Sequence, residues 1–296
     1  MVDEVTLANM PAHVLDELVR RGVDLRTLAR VVDVHRDEAL LLTGSYATGE
    51  ANPTSDLDFL VLSGSRRPEA PDGASNHPSI FGDSFDVQLG DLTVNIEYVA
   101  RDWALALGTV VDAVRESAHA KPCLPNLQAL EVRLVQRIAT GIPLSGRDVV
   151  EQLRARLDVS TVHASSAALN FVMAISLLED TRVLAPPMQQ VMFRGAGEAL
   201  LLAAVNAFGP ITYDVKHLYR RATKLAALAD MPRVFAERER VLFADRLTAE
   251  EGTELLVELA SDLYDAFHSE RCPPLILPML QPFWEQWRRA GIVIGQ

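Results

Sequence analysis

Asp56 and Asp58 stand one residue apart at the head of the apolar run LDFLVL, and Gly44-Ser45 closes a similar run twelve residues earlier. In an extended strand, side chains at i and i+2 share a face. The two carboxylates therefore project together, while Leu57 and Phe59 point the other way. Such proximity is repulsive unless a cation lies between the oxygens. A hard dication such as Mg2+ accepts oxygen ligands and keeps positions open for phosphate oxygens. The glycine at the earlier turn lets backbone approach a phosphate, and the N–H groups that follow offer an anion site.

Fixing two metals needs a third carboxylate, and the stretch FDVQLGDLTVNIEYV supplies two candidates. Glu97 is a charged residue inside an apolar strand, on the same strand face as Asn95. Asp86 is the second choice, because a turn centred on Gly90-Asp91 sets it across from Asn95. Three acids on adjacent strands beside a Gly-Ser turn suit two-metal phosphoryl chemistry. One ion would activate a hydroxyl, and the other would hold a triphosphate.

The elements that must position these residues are legible from periodicity. Residues 12–32 have helical spacing and predict one or two helices. EALLLTG and DLDFLVLS are strands, and the Gly-Pro-Ser-rich residues 63–84 predict a long loop. A hairpin follows around Gly90-Asp91. From Arg101 onward the pattern is helical, with breaks at TGIPLSGRD, LAPPM, FGPIT and RCPPLILP. The expected architecture is α+β: a mixed sheet flanked by helices over residues 1–145, then an all-α bundle over 146–296 that contributes to a substrate cleft.

The stretch LLLTGSYATGEANPTSDLDFLVL resembles the signature of the DNA polymerase β-like nucleotidyltransferase superfamily: strand, Gly-Ser, spacer, Asp-x-Asp in a second strand, and a later acid. The resemblance implies that Gly44 and Ser45 bind the triphosphate and that Asp56, Asp58 and Glu97 bind Mg2+, two ions in all, with ATP as donor. ATGIPLSGRDVVEQL looks like the linker that follows the catalytic domain in small-molecule and minimal nucleotidyltransferases. The helical remainder resembles the bundles of antibiotic-type adenylyltransferases, and YDVKHLYRRATKL is the kind of helix that sends a lysine, here Lys216, toward the triphosphate. A glutamate of the helical region serves as general base in such relatives, and Glu198 and Glu179 both remain open.

Bulk properties bound the remaining choices. With 28 basic and 40 acidic residues the formal charge is −12, which opposes general attraction to nucleic acid or to an anionic membrane. The acidic N-terminus does not read as a signal peptide, so a cytoplasmic protein without a membrane span is expected. Two cysteines, Cys123 and Cys272, stand in no ligand spacing and read as reduced thiols. Arg66 and Arg67 read as a solvated pair, and Lys216 with Arg220 as one helical face. Gly195 and Gly197 lack the strand and third glycine of a dinucleotide fingerprint. Trp284 and Trp287 read as core or interface, and the apolar helices are compatible with a homodimer.

The functional expectation is Mg2+-dependent transfer of AMP from ATP to a small-molecule hydroxyl, with release of pyrophosphate. Two alternatives stand beside it: a non-catalytic nucleotide-binding module of the same fold, and a protein-modifying enzyme of the toxin–antitoxin type.

Overall fold

The apolar runs on either side of Gly44-Ser45 become neighbouring interior strands of a six-stranded sheet in the computed structural model, which describes residues 4–292 except 33, 36, 65–69, 72, 80–81, 121–126 and 214. Cys123, Arg66 and Arg67 therefore lie outside the described residues. The chain divides into two units: Met1–Thr109 with Leu134–Asp158, and Val110–Arg133 with Val159–Gln296.

In the first unit, β1 (Ala39–Thr43) pairs antiparallel with β2 (Leu57–Ser63), setting Thr43 opposite Asp58. β3 (Ser75–Ser79), β4 (Gly82–Leu89), β5 (Leu92–Ala100) and β6 (Ile142–Ser145) complete the order β3-β4-β5-β2-β1-β6. β2 and β5 run parallel; the remaining pairs are antiparallel. Gly90, at φ 64, makes the tight β4–β5 turn that the sequence signalled.

Both faces of this sheet are covered, which explains why β1 and β2 read as unbroken apolar runs. Leu40, Leu42, Leu57, Phe59, Ile96 and Tyr98 pack on one side with residues of α1 (Glu4–Leu7), α2 (Ala12–Arg20) and α3 (Leu25–Val31). α2 and α3 are separate because Gly22, at φ 67, ends the first, while the Asp24 side chain caps the second at Thr27 N, 2.7 Å away. On the other face Leu41, Leu60, Leu62 and Val99 are fully buried. That face also receives Asp58, Asn95 and Glu97, by strand register. The remaining helices of this part of the chain are α4 (Gly44–Thr48), α5 (Arg101–Ala120), α6 (Ala129–Thr140) and α7 (Arg147–Arg156).

Two segments differ from the sequence reading. Residues 63–84, expected as a loop, contain β3, and the GIPLSGRD segment expected as a linker contains β6. Each contains a proline, yet each is an edge strand, where a missing N–H need not break a ladder.

The second unit is helical: α8 (Val159–Thr181), α9 (Pro186–Phe208), α10 (Leu218–Ala226), α11 (Arg233–Ala236), α12 (Arg238–Leu242), α13 (Ala249–Ala266) and α14 (Ile276–Arg289). α8 and α9 are largely apolar, with a few exposed polar positions such as Glu179 and Arg194. They are long and apolar enough to cross a membrane, but 61% and 67% of their most apolar windows are buried within the protein, as in core helices. Gly197 of α9 is needed for packing, since a Cβ there would overlap the carbonyl oxygen of Val241. Phe171 gathers Tyr264, Phe267, Trp284 and Trp287 within 6.4 Å between ring centroids, and Tyr264 stacks on Trp284 at 4.0 Å. The two tryptophans are thus core residues.

Candidate active site

Gly44 follows the last residue of β1 and adopts φ 67, the left-handed region that a Cβ disfavours. A Cβ at this position would overlap Oδ2 of Asp58 and lie 2.8 Å from its Cγ. Glycine is therefore required twice, for the dihedral and for the close approach of the carboxylate. The short helix α4 starts at this glycine, and Thr48 Oγ1 donates back to the carbonyls of Gly44 and Ser45 at 3.3 and 3.4 Å. Gly49, at φ 68, stops it after one turn. Tyr46 anchors the turn in the core under the sheet, while Ser45 stays partly open to solvent.

The two aspartates arrive by different means. An Asn52–Ser55 turn, closed by Asn52 N to Ser55 Oγ at 2.9 Å and Ser55 N to Asn52 O at 3.0 Å, delivers Asp56 exposed just ahead of β2. Asp58, on β2, lies in a row that crosses four strands: Thr43, Asp58, Asn95, Asp86. Asp86 is removed from Asp58 by the strand of Asn95. Its carboxylate accepts from Asn95 Nδ2 at 2.7 Å and meets His77 Nε2 at 3.1 Å. Glu97 lies on the same sheet face as Asp58, in the next row, opposite Leu60 and Ser84.

Between Asp58 and Glu97 stands a residue the sequence reading did not single out. Arg137 of α6 donates from Nη1 to Glu97 Oε2, and its Nη2 lies 3.8 Å from Asp58 Oδ1. The Glu97 side chain is 3% exposed and that of Arg137 10%, against 21% for Asp58. The arginine flanks the apolar stripe of α6, where Leu134, Val135 and Ile138 are fully buried. A charge beside such a stripe was its signal in sequence, although nothing local named its partners.

Asp56 and Asp58 offer carboxylate oxygens suited to a hard dication, and the bare Cα of Gly44 leaves the space in which the Asp58 carboxylate lies. Glu97, by contrast, is engaged by the guanidinium. Among the described residues no group of three or more His, Cys, Asp and Glu side chains is gathered as a metal cage. The carboxylates of Asp56, Asp58 and Glu97 are each of a chemistry that fits a divalent cation, and Glu97 carries Arg137 as an ion-pair partner.

The other expected residues lie in the second unit. Lys216 is exposed in the turn before α10, which begins at Leu218, so it does not share a helical face with Arg220. Glu198 on α9 is paired with Arg194 at 3.2 Å, and Glu179 is exposed on α8.

Residues 25–118 match the family model described as a nucleotidyltransferase domain. No curated protein matches the chain. Among solved structures, the chain is similar to a nucleotidyltransferase-like protein from Exiguobacterium sibiricum 255-15. That match has 13% identity over 86% of this chain and 85% of that one, with a TM-score of 0.33.

Proposed function

We propose, for a chain whose residues 25–118 carry a nucleotidyltransferase domain, that it transfers AMP from ATP to the hydroxyl of a small molecule and releases pyrophosphate. The observation that supports this most is the seating of the Asp58 carboxylate against the bare Cα of Gly44, with Asp56 exposed two residues before it. The Gly-Ser turn and the acids thereby share one edge of the site.

In this reading Gly44 and Ser45 hold the outer phosphates through the first N–H groups of α4, which have no partner within the helix. Asp56 and Asp58 hold a divalent cation, Mg2+ in the cell. Bound there, it would supply Lewis-acid polarisation of the phosphoryl oxygens. Gly44 leaves room for the Asp58 carboxylate at the turn, and the Arg137 guanidinium lies at ion-pair distance, 3.8 Å, from its other oxygen. Glu97 lies on the same sheet face, ion-paired with Arg137. The acidic balance of the chain favours a small acceptor over a polynucleotide.

The test is pyrophosphate release from ATP, GTP, CTP and UTP with Mg2+, against a panel of amino sugars, nucleosides and polyols. Release that requires both one nucleotide and one added acceptor supports the reading. Label transferred to protein would instead indicate a protein acceptor. One observation favours the second reading, a nucleotide-binding module without turnover: the third acid of the set is already paired with an arginine. Tight binding of a nucleotide with no transfer to any acceptor would support that reading.

A further inference from the structure

Building on the nucleotidyl-transfer reading, we propose that Arg137 is a positioning residue that fills the gap between Asp58 and Glu97. The site then takes one divalent cation, on Asp56 and Asp58, and Glu97 anchors the arginine instead of ligating an ion.

The two oxygens of Asp58 have different neighbours. Oδ2 lies against Gly44, and Oδ1 faces Nη2 of Arg137. The carboxylate is thus flanked on two sides, by a glycine of α4 and an arginine of α6. The other terminal nitrogen of the same guanidinium is on Glu97. A cation bridging Asp58 and Glu97 would need an oxygen of each within about 2.0–2.6 Å. The guanidinium already occupies that gap, with one nitrogen for each acid.

Burial makes the arrangement persistent. Glu97 and Arg137 are both nearly removed from water, so separating them would take compensation away from a buried charge on each side. Asp58 is more open, as a cation-binding carboxylate must be. An arginine suits this position because one terminal nitrogen donates to Glu97 while the delocalised charge of the same guanidinium stays within ion-pair distance of Asp58, whereas a lysine is a single point charge. The helix that carries it is also fixed in place. Arg137 O accepts from Gly141 N at 2.8 Å, and a Cβ on Gly141 would lie 3.0 Å from Leu41 Cδ2 of β1.

The experiment is an electron paramagnetic resonance titration of Mn2+ into the full chain at saturating ATP, with ATP binding measured on the same samples. Wild type is expected to take one Mn2+ per chain. Glu97→Gln, which keeps an acceptor for the arginine, is expected to leave both number and affinity unchanged. Asp56→Asn is expected to weaken Mn2+ by about 100-fold or more. Arg137→Lys is expected to lower kcat about tenfold or more, with the KM for ATP little changed, because the delocalised charge between the two acids is replaced by a point charge on a different stem. Two Mn2+ per wild-type chain, or a loss of affinity in Glu97→Gln matching that in Asp56→Asn, would overturn the proposal while leaving nucleotidyl transfer intact. Failure of wild type to bind ATP at all would instead remove the reading on which the proposal rests. The Glu97→Gln arm keeps the test open if Arg137→Lys does not fold.

Discussion

The carboxylate of Asp58 occupies the space where any residue other than glycine at position 44 would carry its Cβ. The strand end, the left-handed turn and the acid are thus one construction. Gly44→Ala should strain the backbone by about 1–2 kcal/mol and push the carboxylate out of place. A displacement of that kind should lower transfer by about 100-fold. Denaturation and kinetics on the same variant separate the two effects. Full activity in Gly44→Ala would show that the Asp58 position does not matter.

The buried pair of Glu97 and Arg137 should behave as a unit. Arg137→Leu removes a buried ion-pair partner of the glutamate and should cost about 3–5 kcal/mol of stability. Glu97→Leu/Arg137→Leu removes both charges and should recover part of that loss. Urea denaturation of the single and double variants measures the coupling. A double variant as unstable as the sum of the two singles would contradict the pairing.

Gly197 should defy helix propensity. Alanine normally stabilises a helix interior over glycine by about 1 kcal/mol. At position 197 it would overlap the carbonyl of Val241, so Gly197→Ala should destabilise by about 1–3 kcal/mol. Two positions earlier, Gly195→Ala meets only Leu177 Cδ1 at 3.1 Å, and a side-chain tip can give way. Thermal unfolding of the two variants should move apart, with Gly197→Ala melting lower.

Burial lowers the pKa of His163 below its ordinary 6.5, and the bond from its Nδ1 to Asn206 O at 2.7 Å only partly offsets that. A depressed value in the fold means that the unfolded chain binds the proton more readily. The contribution is therefore complete above pH 6.5 and is lost as the pH falls from 6.5 through the lower folded value. Unfolding free energy should decline over that window in wild type and decline less in His163→Gln. Equal slopes would contradict the assignment.

Cys272 is buried, and its thiol is pushed up to about 12 by desolvation. In a Cys123→Ser background the folded protein should resist alkylation at pH 8, and urea should make it reactive. Rapid labelling of the folded chain would show that the site is open.

β1, β2 and the β4–β5 hairpin were legible because their signals are local. Apolar runs, a Gly-Ser stop, an Asp-x-Asp pair and a Gly-Asp turn each sit within a few residues of one another. β3 and β6 were hidden for the opposite reason. SNHPS and IPLS are short, proline-bearing and poor in β-branched residues, and they form only because a neighbouring strand offers an open edge. Arg137 was hidden by distance along the chain. It lies forty residues from Glu97, on another element, and only the folded sheet and α6 bring the two together. Lys216 shows the limit of periodicity at helix ends, since helical spacing continued two residues beyond the observed start of α10.

In the proposed function Asp56 and Asp58 hold a cation that in turn holds a nucleotide. Calorimetric titration of ATP, GTP, CTP and UTP, with and without Mg2+, into wild type and into folded Asp56→Asn/Asp58→Asn tests it most directly. One nucleotide should bind wild type in a Mg2+-dependent way, and the variant should lose that dependence. Wild type that binds no nucleotide, or binds one equally well without Mg2+, would contradict it.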